Sequence, residues 1–101
     1  MGEMREREVK TGMRELLVKR VALPDGSGGS RRYDYYITVD RRELGGFCCE
    51  SYGIRVARED GQSAAVRDIT CSIPRIDALS RLVAEGGVTP VTLRDVVEDW
   101  L

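Results

Sequence analysis

Tyr33-Asp34-Tyr35-Tyr36-Ile37-Thr38-Val39 and Cys48-Cys49-Glu50-Ser51-Tyr52-Gly53-Ile54-Arg55-Val56 are the two runs whose reading decides the fold. In the first, Tyr33, Tyr35, Ile37 and Val39 occupy alternate positions. In the second, Tyr52, Ile54 and Val56 do the same. Alternate side chains of an extended chain point to one face, so each run predicts a strand with one apolar side. The aromatic and β-branched residues at these positions suit a pleated, half-buried surface.

Working outward, Leu16-Leu17-Val18-Lys19-Arg20-Val21-Ala22-Leu23 predicts an earlier strand. Strict alternation puts Leu17, Val21 and Leu23 on one face and Leu16 and Val18 on the other. Pro24 ends it, because proline has no N–H to give a ladder. Pro24-Asp25-Gly26-Ser27-Gly28-Gly29-Ser30 is turn chemistry, and predicts a loose, flexible hairpin loop into the next strand. That strand is expected from about Arg32 to Val39, with residues 40–46 as the following connection. The third strand is expected from Phe47 to Arg58. Gly53 lies inside it, where a bulge or a close contact is expected. Asp60-Gly61 predicts a tight hairpin turn, and Ser63 to Thr70 a fourth strand.

The period then changes. Ile76, Leu79 and Val83 recur at helical spacing with Leu82 beside them. Ser72 suits the cap position, Pro74 the first turn, and Gly86-Gly87 the stop. Thr89-Pro90 predicts the start of a second helix. Its stripe is Leu93, Val96, Val97, Trp100 and Leu101, spaced i, i+3, i+4, i+7, i+8. Strands followed by helices imply an α+β fold: a four-stranded antiparallel β-meander with two C-terminal helices packed on one face. The expected organisation is a polar flexible leader over residues 1–12 and a single domain over residues 13–101.

Composition narrows the chemistry. The chain has 101 residues, 42% hydrophobic and 33% charged, and a net charge of −1. This describes a globular chain able to fold on its own core, with no global field drawing it to nucleic acid or an anionic membrane. No run approaches the roughly 20 apolar residues of a membrane span. The charged leader is unlike a secretion signal, so a cytoplasmic location and no membrane partner are expected. There is no histidine, which removes histidine acid–base catalysis, Ser-His and Cys-His nucleophiles, and histidine metal ligation. Fourteen of the 16 basic residues are arginine. That abundance fits either planar recognition of carboxylate and phosphate or a coding bias of the source genome.

Four groups of residues are candidates for chemistry. Cys48 and Cys49 are adjacent and fall on opposite strand faces. With Cys71 they supply three thiolates, no CxxC and no histidine, so tetrahedral zinc is not expected. Free thiols in a reducing compartment are expected, one or two of them as small buried apolar groups. Residues 26–32 combine glycines with Arg31 and Arg32. They lack the lysine and the strand–loop–helix order of a phosphate loop, and no cofactor is implied. Arg31, Arg32 and Tyr36 together make a basic-aromatic sheet surface, one that could stack single-stranded bases. Asp34 and the acids flanking Arg41 and Arg42 weigh against that reading. Asp95, Glu98, Asp99 and the terminal carboxylate gather at a helix C-terminus, where negative charge is disfavoured. Asp95 or Asp99 is therefore expected to meet an arginine of the sheet, Arg55 or Arg67, or else to form, with Trp100, an acidic edge for a partner.

Tyr52-Gly53-Ile54 in a mid-chain strand, and Thr89-Pro90 leading to Leu93-Arg94-Asp95-Val96-Val97-Glu98-Asp99-Trp100-Leu101, resemble a family of small uncharacterised bacterial cytoplasmic proteins of unknown function. The resemblance implies one cytoplasmic domain of about this size and carries over no functional residue. The expectation is a non-enzymatic protein-interaction or regulatory module acting on a protein partner or on itself as a homodimer. Its partner-binding candidates are Arg31, Arg32, Tyr36, Asp95 and Asp99. A nucleic-acid-binding domain using the arginine–tyrosine sheet face is the alternative.

Overall fold

The computed structural model describes residues 13–101; the expected leader, residues 1–12, lies outside them. Four strands come first: β1 (Met13–Pro24), β2 (Ser30–Leu44), β3 (Phe47–Arg58) and β4 (Ser63–Thr70). Two helices follow: α1 (Ile73–Glu85) and α2 (Leu93–Trp100). The sheet order is β1-β2-β3-β4 with every neighbouring pair antiparallel. This is the α+β meander with C-terminal helices that the alternation and the later change of period predict.

β2 and β3 form the centre. Tyr35 stands opposite Val56 and Ile37 opposite Ile54, so the two apolar faces coincide. Tyr33, Tyr35, Ile54 and Val56 are buried in one cluster with Ile76, Leu79 and Val83 of α1 and Leu93 and Val97 of α2. Both helices therefore cover the same side of the sheet. The Tyr35 hydroxyl, held inside this core, donates to the Val88 carbonyl at 2.9 Å. It secures the chain between the helices to the central strand. Burial raises the Tyr35 pKa, because a phenolate there would lose its water.

The structure corrects several boundaries and faces. β2 does not stop at Val39. It continues to Leu44, and a two-residue turn, Gly45-Gly46, joins it to β3. Both glycines have positive φ, 56° and 86°, the geometry of the tight turn whose twist matches the flanking strands. In β1 the register shifts between Leu17 and Lys19. Leu17 pairs with Tyr36, on the open face, whereas Val21 pairs with Tyr33, on the helix face. The expected common face of Leu17, Val21 and Leu23 is broken by this bulge. α2 begins at Leu93 after Thr92 rather than at Thr89-Pro90. Thr89 and Thr92 close a turn, with the Thr92 amide donating to the Thr89 carbonyl at 3.1 Å, and Pro90 is buried within it.

Other local readings agree with the structure. Ser72 caps α1, its hydroxyl accepting from the Arg75 amide at 3.3 Å. Gly53 sits where β3 and β4 lose register. A side chain there would collide with the Val66 carbonyl oxygen, 2.3 Å from an added Cβ. The β1–β2 connection is a hairpin loop as expected, though not a featureless one: the Asp25 Oδ1 accepts from the Ser27 amide at 2.9 Å, the Ser27 hydroxyl at 3.0 Å and the Gly29 amide at 3.2 Å. The Ser27 bonds, with smaller help from Gly29 and Arg31, hold the Asp25 carboxyl below its ordinary range.

Candidate interaction surfaces

Three exposed regions carry the residues singled out by sequence. The first is the sheet face away from the helices. Consecutive strand residues alternate sides, so Asp34, Tyr36, Thr38 and Asp40 of β2 share this face with Arg55 of β3 and, across β1, Glu15 and Leu17. Long-range charge pairs cross it. Arg55 meets Glu15 through two hydrogen bonds, 2.7 and 3.1 Å. Arg67 meets Asp40 at 2.6 and 3.2 Å. Arg20 meets Asp34 at 2.8 and 3.2 Å. These are paired, charge-assisted contacts that fix planar geometry. Their hydrogen bonds hold the Arg67 and Arg20 guanidiniums above the ordinary arginine pKa. The Arg55 guanidinium also lies over the Tyr36 ring, 4.6 Å from its centre, a cation–π contact.

This arrangement sets where the residues of the basic-aromatic reading lie. Arg31 and Arg32 are neighbours on one strand and point to opposite faces. Arg32 lies 3.9 Å from Asp34, while Arg31 lies 3.9 Å from both Asp25 and Asp60. One face of the Tyr36 ring is occupied by Arg55. Arg32 and Tyr36 thus share the open face with Asp34 between them, whereas Arg31 lies on the other face.

The second region is the edge strand β1. Leu16, Leu17 and Val18 are 42%, 51% and 38% exposed, an apolar triplet where a sheet ends. The bulge at this point is why alternation misassigned the triplet: Val18 is an additional residue between the paired Leu17 and Lys19. The exposure of all three residues was not legible in the sequence, because it depends on how far the helices reach across the sheet.

The third region lies between the helices. A groove of about 330 Å³ is lined by Leu82, Val96, Asp99 and Trp100. Trp100 is half-buried and packs against the core, and Arg75 covers its ring at 4.6 Å. Leu101, expected on the apolar stripe, is exposed. Arg55 and Arg67 are engaged by Glu15 and Asp40 on the far side of the sheet. Asp95 and Asp99 therefore do not meet the arginines expected for them. Among the described residues, no cation forms an ion pair with either.

Cys49 and Cys71 are free, as expected, and both are exposed, so neither is one of the expected buried apolar groups; the Cys48 side chain lies outside the described residues. Among the described residues, no group of three acidic or cysteine side chains could hold a metal ion. No helix among them is long and apolar enough to cross a membrane.

The class these features define is a small α+β domain, a four-stranded meander backed by two helices. It has an ion-paired open face, an apolar strand edge and an acid-rimmed groove. The chain belongs to a family of unknown function, DUF6514, whose pattern matches residues 14–101. No curated protein and no solved structure matches it.

Proposed function

We propose that this protein is a non-enzymatic interaction module that pairs with a second copy of itself through β1. The observation that carries the reading is the exposure of Leu16, Leu17 and Val18 together on the outermost strand. Contiguous apolar surface at a sheet edge favours association, and a two-fold axis is the commonest way to satisfy it. An axis at Leu17 sets Leu16 of one copy against Val18 of the other. The bulge at Val18 interrupts the outer row of backbone groups, so side-chain packing rather than a long continuous ladder would hold the pair. The absence of histidine and of a recognisable nucleophile or cofactor loop supports a role without catalysis.

Light scattering at low and high salt tests this. The expected mass is that of a dimer, insensitive to salt, and Leu17→Glu should convert it to a monomer while leaving the circular dichroism unchanged. A wild-type monomer at roughly 100 µM, a concentration that detects even weak pairs, would refute the reading. Nucleic-acid binding by Arg31, Arg32 and Tyr36 is the competing reading. It predicts a monomer carrying ultraviolet-absorbing nucleic acid that added salt removes, since phosphate contacts release counterions.

A further inference from the structure

The groove between α1 and α2 is independent of the β1 edge. Leu82 lies beside the buried Leu79 and Val83, yet is 48% exposed. With Val96 and Trp100 it forms an apolar floor. At about 100° of rotation per residue, α2 divides into three sectors. Leu93 and Val97 point into the core, Val96 and Trp100 line the groove, and Asp95 and Asp99 occupy the next sector, one turn apart. Asp99 itself contacts the groove.

The two acids differ in their place on the helix. Asp95, expected at the helix C-terminus, lies instead in the first turn of α2, where negative charge is favoured; Asp99 sits in the last turn, where the backbone already presents negative partial charge. The last turn of α2 has no basic residue, and neither acid has an ion-pair partner among the described residues. Asp99 thus breaks a local rule without compensation among the described residues, which marks a place where function is expected.

We propose that this groove binds a basic amphipathic helix of a partner protein. One apolar side chain enters between Leu82, Val96 and Trp100, and two cationic side chains one turn apart meet Asp95 and Asp99. The match rests on charge complementarity and on equal spacing, since cations at i and i+4 of a helix stand as far apart as the two carboxylates do. Apolar anchors in a groove supply affinity in such complexes, and facing charges supply selection.

Trp100 is the only tryptophan in the chain, so its fluorescence reports on the groove directly. The probe is a capped helical peptide of alanine, leucine and lysine, with one leucine flanked by lysines at i and i+4. A twin carries glutamate in place of lysine. The lysine peptide should give a saturable blue shift of Trp100 emission and the glutamate peptide none. Asp95→Asn with Asp99→Asn should weaken binding about tenfold, whereas Glu59→Gln, in the β3–β4 turn, should leave it unchanged. The proposal is overturned if Trp100 does not respond at about 1 mM peptide. Equal binding of both peptides, or equal loss from the Glu59 and Asp95/Asp99 variants, overturns it as well. None of these readouts depends on the dimer, because Leu17→Glu protein can be titrated in the same way.

Discussion

The Tyr35 hydroxyl donates to the Val88 carbonyl across 53 residues of sequence, joining the central strand of the sheet to the link between the helices. Tyr35 is 1% exposed and Val88 9%, so the bond is sealed from water. Removing its donor leaves a buried carbonyl without that partner. Tyr35→Phe should therefore lower stability by about 1–3 kcal/mol. Urea unfolding would register this as a lower midpoint with an unchanged slope. An unchanged midpoint would mean that water or another donor replaces the hydroxyl.

Gly53 is required for space. A Cβ there would lie 2.3 Å from the Val66 carbonyl oxygen and 2.7 Å from both the Arg67 Cα and the Thr38 Oγ1. Two of those atoms are backbone and cannot rotate away. Gly53→Ala should force β4 outward and lose roughly 1–3 kcal/mol or more. Faster amide exchange in β4 than in β2 would localise the damage. Wild-type stability in the variant would show that β4 shifts at no cost.

Thr38 is fully buried between Glu15 and Gly53 in the sheet, and its Oγ1 has no hydrogen-bond partner. A buried hydroxyl left unpaired costs free energy that an isosteric methyl does not. Thr38→Val should be neutral or stabilising by about 1 kcal/mol, read from the denaturant midpoint. A clear loss of stability would reveal a partner for the hydroxyl in solution.

The meander was legible because Tyr33, Tyr35, Ile37 and Val39 alternate without interruption, and the helices because Ile76, Leu79 and Val83 change the period. β1 was misread at the point where one residue, Val18, is added to the strand. A period-two rule propagates such an insertion into every later position. The extension of β2 to Leu44 was hidden because residues 40–43 are charged, and charged residues in a strand read as loop. Asp40 shows how a charge fits there: it is met by Arg67, a residue 27 positions away. Of the partner-binding candidates, Asp95 and Asp99 share a surface, and so do Arg32 and Tyr36, whereas Arg31 lies on the opposite face. Local spacing on one helix is readable from sequence, whereas the carboxylate that neutralises an arginine depends on strand register.

The β3–β4 turn gives the fold an acid-sensitive contact. Asp60 accepts from the Arg58 guanidinium and from the Gln62 amide at 3.1 Å. These bonds, the arginine's first, hold its carboxyl far below the ordinary 3.8. A carboxyl depressed on folding stabilises above its unfolded value, and that stabilisation disappears as pH falls through the lower folded value. Wild-type protein should thus exceed Asp60→Asn in stability at neutral pH, and the difference should begin to shrink as pH falls toward the ordinary carboxylate value and disappear only below the depressed folded value. A difference that persists in acid would assign the effect to turn geometry instead of charge.

Asp99 should affect folding and binding in opposite directions. As an exposed acid in the last turn of α2 without an ion-pair partner among the described residues, it opposes the helix dipole. Asp99→Asn should raise the stability of the free protein by about 0.3–1 kcal/mol, with a larger gain at low ionic strength because salt screens the interaction. The same substitution should weaken the lysine-peptide response of Trp100. Thermal unfolding of both proteins, with and without peptide, measures the two effects together. Without peptide, Asp99→Asn should melt higher; saturating peptide should raise the wild-type midpoint more than that of the variant, since a ligand stabilises the state it binds. If the substitution destabilises the free protein, Asp99 has an intramolecular partner in solution, and the groove loses the unpaired charge on which its selectivity depends.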